Sequence, residues 1–424
     1  MARRDDREYR AIFEGGATQP AGMHRRPNAA GLSPRAARTM RIGIDARELR
    51  RRGTGVGRYL TGLLHEWAID ARTSVHQFVL YAPEPIALRL DARRFPTRLV
   101  RGGSGTWWEQ VRAPRAARLD HLDVWFAPAY SAPLALKVPI VVTIHDLSFD
   151  AHPEWFRPRE GARRRWLTRR AAQKARAIVT ISQFSRRELI ERLDVPDSRI
   201  HVIPPGIGTG DWGRGDWGLG TGVGHRVPSP LVAGPLVPNP YRVLYVGSIF
   251  NRRHVVDLIR AFAPIARAHA GASLDIVGDN RSYPREDLRQ SIAAEAIEAQ
   301  VRWHEYVSEE QLPDLYAGAR AFAFLSEYEG LGLTPLEALN AGVPPVLLDT
   351  TVARESCGDA AVYVPVSNLP ATTRALASVL FDESVRLRIL AAAPNQLAKY
   401  SWPRAARETI EVLERAGAGT SRSG

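Results

Sequence analysis

Short apolar runs in this chain alternate with longer amphipathic stretches, stop, and then start again. That doubled rhythm limits the folds open to it. The first series opens on RIGID and a glycine-bearing turn, GTGVG, which leads into the helical RYLTGLLHEWA. QFVLYA, VWFAP, PIVVTIHD, AIVTIS and IHVIPPG follow, most of them trailed by helical stretches. Strands that alternate with helices pair in parallel, because each helix returns the chain to the same end of the sheet. The second series restarts at YRVLYVG and runs through SLDIVG, ARAFAFLS and VPPVLLD. VVDLIRAFAPIARAHA, EDLRQSIAAEAIEA, EEQLPDLYAGA and a helix after Thr334 lie between its strands. Residues 206–240 separate the two series and are dense in Gly and Pro, which reads as a linker or surface loop. A linker does not account for the two tryptophans of GDWGRGDWG.

At 424 residues the chain exceeds what one core usually supports. The expectation is therefore an α/β protein of two doubly wound, Rossmann-like domains facing each other across a cleft. Their expected spans are 40–205 and 241–400, with a closing helix at 401–418 and a disordered tail at 419–424. Residues 1–39, rich in Arg, Gly, Pro and Ala, read as a disordered extension, and Met40 offers an alternative start of translation. In such folds ligands bind at the carboxyl ends of the strands.

Cys357 is the single cysteine, which excludes a disulfide framework and any multi-cysteine zinc site. The opening MARRDDREYRAIF lacks the apolar core of a secretory signal, and the apolar stretch 124–144 is broken by three prolines and a lysine. A cytoplasmic protein is expected. The net charge of +13 is uneven: residues 40–205 hold 29 basic and 17 acidic side chains, whereas residues 241–424 hold 19 and 22. The first half thus has the sign to meet an anionic partner, either a membrane surface or nucleic acid.

LSEYEGLGLTPLEALNAG places Glu329 and Glu337 around a glycine pair, ahead of a short helix. TPLE has the form of a capping box, with Thr334 as N-cap, Pro335 as the first helical residue and Glu337 reaching back. Gly342 is placed to end the helix. Glu329 has no such structural explanation. A strand, a tight loop and a helix N-terminus also form an anion site, and flanking carboxylates suit the hydroxyls of a sugar and a ribose. The capping and ribose roles of Glu337 are compatible, since a carboxylate has about four lone-pair sites.

SEYEGLGLTPLEALNAGVPPVLLD resembles the E-x7-E signature of retaining, nucleotide-sugar-dependent glycosyltransferases of the GT-B fold. The chain is most similar to glycosyltransferase family 4 and its bacterial mannosyltransferase-like members. DAREL with GTGVGRYLTGLL, WEQ, TIHDLSFDAHPEWF, YVGSIFNRRHVVDLIRAF and SWPRAARETIEVLE resemble further blocks in the same order, across most of residues 41–416. The resemblance implies a nucleoside-diphosphate-sugar donor, with mannose from GDP-mannose as first choice, and a lipid-linked or polysaccharide acceptor. Arg252 and Arg253 then match the basic pair on the donor diphosphate, and Gly55 and Gly57 the loop closing over it. The backbone amides of Leu333 and Thr334 meet the same phosphates. Glu329, with Gly330, matches the first signature glutamate beside the donor sugar, and Glu337 the second, on the ribose. His145 matches the HD site near the reacting groups, with Asp146 as a capping or orienting neighbour. Glu355 matches a glutamate near the donor pocket.

No Asp-x-Asp pair occurs in the chain, so no metal cofactor is expected. Arginines and a helix N-terminus can offset the charge of a leaving diphosphate instead. A nucleotide-sugar epimerase shares the fold, but GTGVGRY and the acceptor-side blocks count against it. RPREGARRRWLTRRAAQKAR has the chemistry of a nucleic-acid-binding segment, yet its apolar stripe (Leu167, Ala171, Ala175, Ile178) packs one face onto the sheet. No nucleic acid partner is expected. Arg163, Arg164, Arg165, Arg169 and Arg170 are instead expected to face an anionic membrane leaflet peripherally, with Trp166 as an anchor if it points outward.

Overall fold

The computed structural model describes residues 39–49, 55–86, 88–207, 241–308 and 311–419. The extension before residue 39, the Gly/Pro-rich segment after Ile207 and the last five residues lie outside the described residues. The first sheet contains β1 (Arg41–Asp45), β2 (Gln77–Ala82), β3 (Thr97–Leu99), β4 (Val124–Ala127), β5 (Ile140–Thr143), β6 (Ala177–Thr180) and β7 (Ile200–Val202). Their order is β3-β2-β1-β4-β5-β6-β7, parallel throughout, with Ile42 opposite Phe78 on one side of β1 and Val124 on the other. The second sheet contains β8 (Arg242–Val246), β9 (Ser273–Val277), β10 (Val301–His304), β11 (Ala321–Phe324), β12 (Pro345–Leu348) and β13 (Val362–Val364). It is also parallel, in the order β10-β9-β8-β11-β12-β13. This is the GT-B arrangement of two Rossmann-like sheets. In each sheet the strand order reverses beside the first strand, and a crevice opens there at the carboxyl ends.

β3 and β10 carry no apolar run that marks them as strands, whereas β13 is the apolar Val-Tyr-Val. All three residues of β3 are exposed, and in β10 only Val301 is buried. Each lies at or near the edge of its sheet, where hydrogen bonding rather than burial holds it. The central strands are the reverse case: every residue of β4, β5, β6, β11 and β12 is buried. Burial on both faces requires the near-continuous Val/Ile/Leu/Phe runs that the sequence shows there.

The Trp402–Ala418 helix follows the second domain in the chain but packs on the first. Ala405, Ala406, Ile410, Leu413 and Ala416 share a core with Trp67 and Phe126, and Trp67 Nε1 donates to Ala406 O at 2.9 Å. The Trp402 ring presses on Gly62 and Gly206, where any Cβ would strike it. The chain thus crosses back and ties the domains together. Among the described residues no helix is long and apolar enough to cross a membrane.

Candidate functional site

Two loops meet where β8 and β11 run out of the second sheet. After β8 the chain passes through Asn251–Arg253, and after β11 through SEYEGLG. Arg253 donates to Glu329 Oε1 from Nε at 2.8 Å, and Ser326 Oγ donates to the same oxygen at 2.8 Å. Both partners are largely buried, their side chains 13% and 17% exposed. Burial pushes the Glu329 carboxyl up, but Arg253 and Arg252 outweigh it and hold the group below its usual range. Arg252 donates to Tyr328 O at 3.3 Å, and its guanidinium lies 4.4 Å from the Phe250 ring centre and 5.7 Å from that of Trp155. His254, in left-handed backbone geometry at φ 47°, bridges Asp257 and Glu327. The hydrogen bond to Asp257 leads in raising its imidazole above the ordinary value, with Glu327 adding to it against burial. The two predicted arginines and the first predicted glutamate therefore form one cluster.

The helix after that loop runs Leu333–Asn340, and Gly332 is its N-cap at φ 84°. This corrects the expected capping box. Thr334 lies inside the first turn and Glu337 does not reach back to a cap. Gly332 has no side chain to offer, so no capping side chain engages the amides of Leu333 and Thr334. Gly342 does end the helix, at φ 76°. Glu337 Oε2 accepts from the hydroxyl of the buried Tyr316 at 3.1 Å, and Oε1 pairs with Arg58 of the first domain. Arg58 stands in the first turn of the Gly55–Ile69 helix, beside the predicted Gly55 (exposed) and Gly57 (buried). The sequence reading passed over Arg58, although one signal was present. A cation in a first helical turn opposes the helix dipole and calls for a carboxylate partner elsewhere.

His145 follows β5 and is buried at 9% exposure. Its Nε2 donates to Pro128 O at 2.8 Å, which leaves Nδ1 as the acceptor nitrogen. Burial holds the imidazole below its ordinary value, against the Pro128 carbonyl and Asp146. Asp146 accepts from Ser148 N at 2.8 Å and from Tyr130 Oη at 2.6 Å. Gly330 seats directly on the His145 carbonyl, where a Cβ would collide with it. Ser182 Oγ donates to Gly330 O at 2.5 Å, and Ser185 Oγ to His145 O at 2.8 Å. Tyr328 Oη accepts from Leu147 N at 3.2 Å and donates to Glu188 Oε2 at 3.1 Å. Tyr328 and Gly330 are thus tied to the first domain, while Glu329 between them is held by Arg253 and Ser326 of the second.

Glu355 is used differently from its expected place in a donor pocket. Its oxygens accept from Gln183 N at 2.6 Å and Phe184 N at 2.9 Å, so it caps the Gln183–Leu193 helix of the other domain. A charged cluster also closes the carboxyl end of β1. Arg47 Nη2 lies 2.5 Å from Glu109 Oε1 and 2.9 Å from Asp45 Oδ2, and Ser131 Oγ donates to Glu109 at 2.6 Å. Burial, opposed by Arg47 and assisted by Glu109, pushes the Asp45 carboxyl up to about 6. DAREL and WEQ supply Asp45, Arg47 and Glu109, but these charged side chains had no assigned role. On the Pro158–Lys174 helix, Arg163, Arg164 and Arg170 are exposed. Arg165 and Arg169 instead turn back to donate to Phe149 O and Arg192 O, at 3.2 and 3.0 Å. Trp166 points outward, 59% exposed, and Arg163 reaches Thr106 beside the equally open Trp107.

Comparison with known proteins places both halves. Residues 53–210 match the family described as Glycosyltransferase Family 4, and residues 233–396 match Glycosyl transferases group 1. O-antigen chain mannosyltransferase B of Escherichia coli is 28% identical over 305 residues, 70% of this chain and 75% of that one. Alpha-D-kanosaminyltransferase of Streptomyces kanamyceticus is 26% identical, over 66% of this chain and 72% of that one. In structure, Anabaena HepE in complex with UDP and glucose superposes with a TM-score of 0.66 at 17% identity, over 89% of this chain and all of that one. That likeness carries the fold.

Proposed function

This chain belongs to glycosyltransferase family 4 and is a hexosyltransferase of the GT-B fold, and on that premise we propose that it transfers a hexose with retention from a nucleoside-diphosphate sugar to a lipid-linked or polysaccharide acceptor. Mannose from GDP-mannose is the first choice, because the mannosyltransferase relative aligns over most of both chains. The observation that carries the reading is the seating of the Glu329–Gly330 loop on the His145 carbonyl, beside the Arg253–Glu329 pair.

The donor diphosphate lies at the N-terminal turn of the Leu333–Asn340 helix, where the amides of Leu333 and Thr334 receive no capping side chain. Arg252 and Arg253 oppose the charge that develops on it as the glycosidic bond breaks. Glu329, ionised and already aimed by Arg253, accepts hydrogen bonds from the sugar hydroxyls. Glu337 does the same for the ribose. His145 presents a neutral acceptor nitrogen to a hydroxyl at the reacting centre. No metal takes part in this scheme. The exposed arginines of the Pro158–Lys174 helix, with Trp107 and Trp166, rest on an anionic leaflet where a lipid-linked acceptor is found.

The test incubates the protein with GDP-mannose, UDP-glucose and UDP-N-acetylglucosamine plus lipid-linked acceptor, following nucleoside diphosphate release and the anomeric configuration by NMR. Release from GDP-mannose with an axial product, unaffected by EDTA, is expected. Faster turnover of a UDP sugar removes the mannose assignment, an inverted product removes retention, and a rate abolished by EDTA removes the metal-free scheme.

A further inference from the structure

We infer that Arg58 is a donor-site residue contributed by the first domain, which reads the diphosphate and shields it from the carboxylate of Glu337. The inference rests on the donor site proposed above. It starts from a conflict within that site. One helix must hold a diphosphate at its first turn and a carboxylate at Glu337, about one turn further along. Both are anions, and both must serve the same ligand. Their mutual repulsion has to be offset by a cation that reaches both.

Arg58 is the cation placed to do so. It pairs with Glu337 Oε1, and it comes from the other wall of the cleft. Glu337 does not need Arg58 for its orientation, because Tyr316 of the second domain, 4% exposed, already holds Oε2. The Arg58 side chain is 37% exposed, whereas that of Arg253 is 13% exposed. Arg253 is built into the wall of the site and Arg58 stands at its opening. A guanidinium fork binds phosphate oxygens in pairs and keeps its charge at any working pH. At the first turn of the Gly55–Ile69 helix that charge is unfavourable for the helix itself, and Glu337 across the cleft is a partner that offsets it. Arg58 therefore makes donor binding and domain closure one event, since the diphosphate completes a site whose last cation belongs to the facing domain.

The experiment measures the binding of GDP, GMP and guanosine, with UDP, UMP and uridine in parallel, to wild type, Arg58→Ala, Arg58→Lys, Glu337→Gln and Arg58→Ala/Glu337→Gln by titration calorimetry. Arg58→Ala is expected to weaken the diphosphate at least tenfold and to leave the nucleoside within twofold. Arg58→Lys recovers part of the loss. Glu337→Gln removes the carboxylate to be shielded, so the loss on removing Arg58 shrinks in that background. An equal loss for diphosphate and nucleoside makes Arg58 a structural brace for Glu337 and overturns the inference, as does unchanged diphosphate affinity. A wild type that binds neither diphosphate overturns the donor-site reading itself, and this inference with it.

Discussion

Arg253 lies in the turn NRRH that follows β8, a place where an arginine is ordinarily solvated. The structure buries it against Glu329, so Arg253→Ala leaves a carboxylate without its partner. Breaking a buried pair from one side costs about 3–5 kcal/mol. Arg253→Ala should therefore melt well below wild type, while Arg252→Ala, which lies over aromatic faces, should keep its melting temperature and lose donor affinity. Arg253→Met with Glu329→Gln should recover stability but not turnover. A wild-type melting curve for Arg253→Ala contradicts the buried pair. His145 gives the pH dependence. Its folded value is lowered, chiefly by burial, so its contribution to stability is present above the ordinary imidazole value of about 6.5. That contribution is lost progressively as pH falls from about 6.5 through the lowered folded value. The acid limb of kcat/KM assigned to His145 should accordingly lie below pH 6.5 and vanish in His145→Gln. A limb that persists in His145→Gln belongs to another group.

At the scale of elements, helix ends decide how the domains meet. The Leu333–Asn340 helix starts on a left-handed glycine with no capping side chain, while the Gln183–Leu193 helix is capped twice. Ser182 caps it from within the first domain, and Glu355 from the second. A cap of this kind contributes about 1 kcal/mol. Glu355→Ala should destabilise the fold by a free energy of that order, read as a lower melting temperature, and leave donor affinity nearly unchanged. The reverse outcome, an intact melting temperature with donor affinity lost, would return Glu355 to the donor pocket that the resemblance implied. Tyr328 works at the same seam through its hydroxyl, between Leu147 N and Glu188. Tyr328→Phe keeps the ring packing on Phe184, at 5.2 Å between centres, and removes only the bridge. It should lower kcat more than it raises the donor KM, because the loop that carries Glu329 then keeps only its Gly330 contacts with Ser182 and His145 of the first domain. An unchanged kcat argues that the seam is passive.

At the scale of the whole molecule, the charge imbalance and the exposed tryptophans point to one surface. Residues 40–205 carry the excess of 29 basic over 17 acidic groups, and Trp107 and Trp166 stand 66% and 59% exposed beside Arg163. Each basic side chain at an anionic leaflet contributes about 1 kcal/mol, screened within about 8 Å at physiological salt. Co-sedimentation with vesicles rich in phosphatidylglycerol should fall as salt rises, and Arg163→Glu with Trp166→Ala should abolish it. Equal binding to phosphatidylcholine vesicles, or none to either, leaves the arginines as solvated surface.

The local pattern of RIGID, VLYA, AFAF and PVLL determined the parallel sheets, because strands buried on both faces must be apolar throughout. The spacing of Glu329, Glu337 and the glycines marked the loop where β11 ends, since a tight turn before a helix leaves a recognisable trace. Edge strands such as β3 left none, because nothing apolar is buried there. The roles of individual charges were decided only by the tertiary structure. Glu337 fits a capping box in one dimension and faces Arg58, 279 positions away, in three. Glu355 likewise caps a helix 172 positions earlier. Burial and pairing depend on what the fold brings alongside a residue, and an ion pair between two domains has no period in the chain to announce it.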